Sequence, residues 1–191
     1  MSRPQALTLP RAASARVLAC GAFLKNTACL VSGTQATLST LHGDLSNPAA
    51  CASLDESLQA LLSLAGGRVD ALAHDLHHDF HSTRLAQQLA GELRVPAIAV
   101  QHHHAHIAVV QAEQGWIDEP VVGIALDGAG LGFDGTSWGG EVLLVRGARD
   151  GGGPLVADVR REGRYQHQRL PHVRLDARQI RLQPLRTVRV E

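Results

Sequence analysis

His102 and His106 stand four residues apart in the run QHHHAHIAVV, so on a helix their imidazoles share one face and come within reach of one metal ion. Two histidines make a poor site, and pairs at this spacing are also found merely solvated. Four histidines in five residues, directly after a strand that follows Pro96, favour a site. A third ligand is expected from Asp127, at the C-terminal end of an apolar run, Val121–Leu126, where α/β sheets present functional groups. A His-His-carboxylate set with an open position suits Fe(II) or Zn(II), and its residue types do not choose between them. The same set nominates Asp127, His103 and His104 for catalytic work.

Around Asp127 the chain reads DGAGLGFDGTSWGGE, with Gly128, Gly130, Gly132, Gly135, Gly139 and Gly140 offering bare backbone to an anionic ligand. The segment lacks the GK[ST] ending of a P-loop and joins two strands, so a mobile hairpin is the plain alternative. Lys25, the one lysine of the chain, sits with Asn26 in a turn where a point charge can meet phosphate. A second polar cluster, Asp75, His77, His78, Asp79 and His81, follows another apolar run.

These side chains need a scaffold, and the periodicity supplies one. Arg16–Cys20, Thr27–Ser32 and Ala36–Leu41 are short apolar or alternating runs separated by turn residues, which predicts a three-stranded meander. Leu54, Leu58, Leu61 and Leu62 recur at helical spacing after Pro48, and Gly66-Gly67 provides a stop. A strand over 69–74, a helix capped by Ser82, a strand over 97–100, a helix from the histidine run to Gly115 and two strands flanking the glycine-rich loop complete the order βββ-α-β-α-β-α-ββ. This is an α/β layout, that of an RNase H-like (actin-like ATPase) half-domain followed by the first strands of a second, truncated half.

The expected divisions are a disordered lead-in over 1–14, a first subdomain over 15–120, the start of a second over 121–150, and an aberrant Arg-rich tail over 151–191. The charge supports that last division: residues 1–159 carry 9 Lys/Arg and 15 Asp/Glu, whereas 160–191 carry 9 and 3. A shifted reading frame is one explanation of so abrupt a change. The net charge of zero argues against nucleic acid as a partner. Three cysteines without a CxxC pair indicate neither a zinc knuckle nor a disulfide framework. No apolar leader or membrane-length run is present, so a cytoplasmic protein is expected.

Taken in order, CGAFLKNT, HGDLSN, HDLHHDFHSTRLA, VQHHHAHIA and ALDGAGLGFDGTSWGGE resemble the corresponding blocks of HypF-type carbamoyltransferases, from about Val17 to Val145. The resemblance implies an actin-like ATPase fold whose metal-bearing cleft holds carbamoyl adenylate, made from carbamoyl phosphate and ATP. The carbamoyl group then passes to a C-terminal cysteine of a HypE partner, as precursor of the cyanide ligands of NiFe hydrogenase. By motif it assigns His102, His106 and Asp127 as metal ligands and sets the loop glycines and Lys25-Asn26 near the nucleotide. The upstream domains of that family are not matched in this chain, and the Arg-rich tail stands where the second half of the cleft is expected, so an incomplete site and an inactive chain are expected.

Overall fold

Three short strands, β2 (Val17–Ala19), β3 (Cys29–Ser32) and β4 (Gln35–Leu38), form the meander, and the left-handed Gly33 closes the tight turn between the last two. The computed structural model describes residues 5–145 and the backbone of 159–164. Its residues divide into two compact units, one up to His102 and one from His103 onward.

In the first unit, β5 (Ala71–Asp75) and β6 (Ala97–Val100) add to the meander in parallel, giving the order β4-β3-β2-β5-β6 of an RNase H-like sheet. A further strand, β1 (Gln5–Thr8), pairs antiparallel with the outer edge of β4. The expectation of a disordered lead-in over 1–14 is therefore corrected for this segment. Its residues are all exposed, so backbone pairing to an open edge forms the strand rather than a buried face.

The helix α1 (Pro48–Leu64) begins where Asn47 accepts from the Ala49 amide at 2.9 Å and Pro48 occupies the first turn. Its leucines at 54, 58, 61 and 62 cover Leu18, Leu30 and Leu72 of the sheet, and Ala86, Leu89 and Ala90 of α2 (His81–Leu93) close the same core. The N-cap of α2 is Phe80, not Ser82 as expected. Ser82 is fully buried inside the helix, and its hydroxyl donates to the Ala22 carbonyl at 2.8 Å, tying the Gly21–Lys25 loop to α2. Burial pushes the Cys20 thiol in this core up to about 12, which makes it an inert packing group.

The second unit holds most of α3 (His102–Gln114) and the strands β7 (Val121–Leu131), β8 (Ser137–Val145) and β9 (Val159–Arg164), in the order β7-β8-β9. His103, Ile107 and Gln111, four apart, form the buried face of α3. Ile107 lies over Gly123, where an added Cβ would stand 2.4 Å from its Cδ1, so this glycine admits the helix to the sheet. That packing assigns α3 to the second unit, whereas the sequence had ended the first subdomain at residue 120.

Within 151–191, expected to be an aberrant Arg-rich tail, β9 pairs antiparallel with β8. The remainder of that tail lies outside the described residues. Among the described residues no helix is long and apolar enough to cross a membrane.

Candidate metal centre

Parallel pairing of β5 with β6 sets Asp75 opposite Val100, two residues before α3 starts at His102. The Asp75 side chain is almost wholly buried, and both of its oxygens are engaged. Oδ2 bonds His102 Nδ1 at 2.8 Å, and Oδ1 accepts from the His77 amide at 2.8 Å. Its backbone carbonyl accepts from the Thr83 hydroxyl at 3.1 Å, which fixes the strand end against α2. Burial alone would push the Asp75 carboxyl up. The hydrogen bonds from His102 and the His77 amide, with the charge of both imidazoles, outweigh it and hold the group below its ordinary value.

Asp127 occupies an irregularity in β7, where the pairing to β8 shifts register between Leu126 and Gly130. Such a bulge re-aims a side chain that regular pairing would direct elsewhere. Its Oδ2 lies 3.5 Å from His106 Nε2. One ligand atom each from His102, His106 and Asp127 lies within 4.8 Å of the others, all three residues being half-buried. Donors on a shell of about 2.0–2.2 Å stand at most about 4.4 Å apart, so a small side-chain adjustment would seat one ion. Two imidazoles and a carboxylate, with His102 already oriented by a buried carboxylate, fit a divalent ion of the zinc or iron(II) type.

The neighbouring histidines differ. His103, nominated for catalytic work, is fully buried and packs against Trp138, ring centroids 6.1 Å apart. His104 is half-buried, and burial lowers its pKa.

The glycine-rich segment is less a loop than a bulged hairpin, with only 132–136 as its tip. Asp134 Oδ1 accepts from the Thr136 amide and hydroxyl and from Trp138 Nε1, at 3.0, 2.8 and 2.9 Å. The string DGTSW thus encodes a turn that clamps its own tryptophan. Gly135 takes the left-handed conformation at the tip, Gly130 pairs with Trp138, and Gly140 pairs with Leu126 inside the ladder. Gly139 lies beside the Gly128 and Asp127 carbonyls, and Gly128 faces open space. An added Cβ at Gly132 would stand 2.0 Å from Trp138 Nε1. Gly132→Ala is accordingly expected to cost about 1–3 kcal/mol by overpacking, and Gly128→Ala to stay within about 0.5 kcal/mol. Urea unfolding of both variants checks this, and equal losses would contradict it.

Lys25 is exposed, with a left-handed backbone (φ 47°). Asn26 beside it is buried and structural: Nδ2 donates to the Cys20 and Ala22 carbonyls at 3.0 and 2.9 Å, and Oδ1 meets His42 Nδ1 at 2.7 Å. Stacking of Phe23 on Phe80 and of Phe80 on His77, with centroids 5.1 and 4.2 Å apart, joins this loop to the segment that holds Asp75.

His42 Nε2 bonds the Ser57 hydroxyl at 2.8 Å, so its ring links the loop to α1. Burial lowers the His42 pKa, offset only in part by hydrogen bonding to Asn26. A folded value below the unfolded one means that this contribution to stability is complete above about pH 6.5 and is lost as pH falls through the folded pKa. Denaturation at pH 7 and pH 5 should show a smaller loss on acidification for His42→Gln than for the parent chain. An equal loss in both would contradict the assignment.

A groove lined by Arg16, Leu30, Ser32, Gln35, Thr37, Leu64 and Ala65 shares no residue with the donor set.

The family model described as "HypF Kae1-like domain" matches residues 12–113, and that of the second subdomain of the carbamoyltransferase Kae1-like domain matches 123–175. The second match continues past the change of composition near 151–160, so that change does not end the resemblance. A carbamoyltransferase HypF homolog of Cupriavidus necator is 60% identical over 142 residues, 74% of this chain and 36% of that protein. Carbamoyltransferase HypF of Synechocystis is 39% identical over 142 residues, 74% of this chain and 18% of that protein. The solved structure of full-length HypF in its phosphate- and nucleotide-bound form is 42% identical with a TM-score of 0.67, covering 74% of this chain and 18% of that one. This chain therefore spans about a third of the first relative and under a fifth of the others.

Proposed function

Because this chain belongs to the HypF carbamoyltransferase family through its Kae1-like domain, we propose that it forms the metal-bearing part of an ATP-dependent carbamoyltransferase of hydrogenase maturation. The observation that carries this reading is the convergence of His102, His106 and Asp127 to within 4.8 Å. A divalent ion bound there would supply Lewis acidity. His102 and His106 hold it from one helix, and Asp127 adds the negative charge that partly neutralises it.

In this reading carbamoyl adenylate, derived from carbamoyl phosphate and ATP, is the donor, and AMP leaves as the thiolate of the HypE C-terminal cysteine forms the new S–C bond. Lys25, exposed in its turn, offers an ammonium to phosphate. Gly128, beside Asp127 and facing open space, leaves room for close approach of an anionic group. His104 is the remaining candidate for proton transfer, and the reaction takes place in the cytoplasm. A site of this superfamily forms between two half-domains, so transfer is expected to need the rest of a HypF chain as well as these residues.

The test replaces the matching segment of a full-length HypF with residues 12–145 of this chain. The chimera is supplied with ATP, carbamoyl phosphate, zinc or iron(II) and a HypE partner, and carbamoylated cysteine is followed by mass spectrometry. Transfer that disappears with His102→Ala is the expected result. An inactive chimera, or one indifferent to His102→Ala, overturns the reading.

A further inference from the structure

We infer that Asp75 is a positioning residue for this centre, fixing His102 as the Nδ1–H tautomer so that Nε2 is the nitrogen available to a metal. The inference rests on the metal-binding role proposed for His102. Its structural basis is independent of any ion, because it concerns the bond between Asp75 and His102.

A carboxylate only accepts hydrogen bonds, so at 2.8 Å from Asp75 Oδ2 the His102 Nδ1 must carry the proton. In the neutral ring the lone pair then resides on Nε2. The carboxylate cannot rotate away without loss. Its other oxygen holds the His77 amide at 2.8 Å, and the backbone behind it is pinned by Thr83. Asp75 is also buried, so water does not compete for the bond. The arrangement is the carboxylate–histidine pair that orients imidazole ligands and raises their basicity. Neither His77 nor His78 meets a buried carboxylate in this way: His77 stacks on Phe80 and its Nδ1 accepts from the Asp79 amide at 3.3 Å, and His78 stacks on His77 and lies 3.4 Å from Asp79 on the exposed surface.

Asp75→Asn is the informative substitution because it keeps shape and inverts one contact. With the amide oxygen retained on the His77 N–H, the amide NH2 faces His102 Nδ1 and requires it to accept. The ring is then driven to the Nε2–H tautomer, with a proton where the metal-binding lone pair should be.

The experiment uses the full chain labelled with 15N-histidine. The two ring nitrogens of His102 are assigned by loss of their signals in His102→Ala and read by long-range 1H–15N correlation without metal, at about pH 8, where imidazoles are neutral. The parent chain should show Nδ1–H, and Asp75→Asn should shift His102 toward Nε2–H with the thermal transition retained. Zinc affinity, measured by competition with a chelator, should fall about 10- to 100-fold in Asp75→Asn.

A parent chain already in the Nε2–H form overturns the inference, and so does Asp75→Asn with unchanged tautomer and affinity. If the parent chain binds no zinc yet shows the Nδ1–H form that Asp75→Asn reverses, the orienting role stands and the metal-binding reading fails.

Discussion

Trp138→Ala is expected to destabilise the second unit by about 3–5 kcal/mol, the cost of emptying a large aromatic site in a packed core. Trp138 is only 4% exposed and packs in a cluster with Ile107, Ala125, Leu143 and Val145. Removing it also strips the Asp134 clamp of the indole N–H and leaves Gly132 beside a void, because that glycine exists to admit the ring. The hairpin that carries Asp127 would loosen with it, so metal affinity should fall together with stability. Urea unfolding followed by far-UV circular dichroism measures the first effect. A loss below about 1 kcal/mol, the range of surface substitutions, would show that the hairpin is not held by this ring.

The second large effect is expected at His106. It reaches Asp127 at 3.5 Å, and without it the donor set falls from three residues to two. Groups that hydrogen-bond a metal ligand are worth about 10- to 100-fold in affinity, so loss of a ligand itself should cost His106→Ala more than about 100-fold for zinc. Asp127→Ala should behave alike. His78→Ala, an exposed imidazole in another loop, should change little. Equal affinities in all three variants would mean that the metal, if bound, sits elsewhere.

Much of the scaffold was legible because its signals are local. The leucine spacing in 54–62, the Pro48 start, the Gly66-Gly67 stop and the four-residue interval between His102 and His106 depend only on the period of a helix. β1 was not, because four exposed residues between two prolines carry no pattern and become a strand only by pairing to β4. The glycine-rich hairpin was legible only in part. Glycine punctuates most sequences, yet here Gly132 makes room for Trp138 and Gly130 and Gly140 sit in paired positions.

The site divides in the same way. His102, His106 and Asp127 could be nominated from residue type and spacing, whereas separating His103 from His104 required knowing which face of α3 meets the sheet. Asn26 was chosen for its place beside Lys25, and only burial shows its amide engaged by Cys20, Ala22 and His42. Asp75 was noticed merely as one of a polar cluster. Its contact with His102 spans 27 positions and arises from the parallel register of β5 and β6, which no local pattern encodes. An acidic residue at the end of one parallel strand, beside the strand that feeds a histidine helix, is the signal that could have found it.

X-ray absorption at the metal edge of the zinc-loaded chain tests the central claim most directly, because it reports the atoms bonded to the ion. Two imidazole nitrogens and carboxylate or water oxygen at about 2.0–2.2 Å, with the imidazole signal reduced in His106→Ala, is the predicted result. A shell containing sulfur at about 2.3 Å, or one made of oxygen alone and unchanged in His106→Ala, would contradict the His102–His106–Asp127 centre.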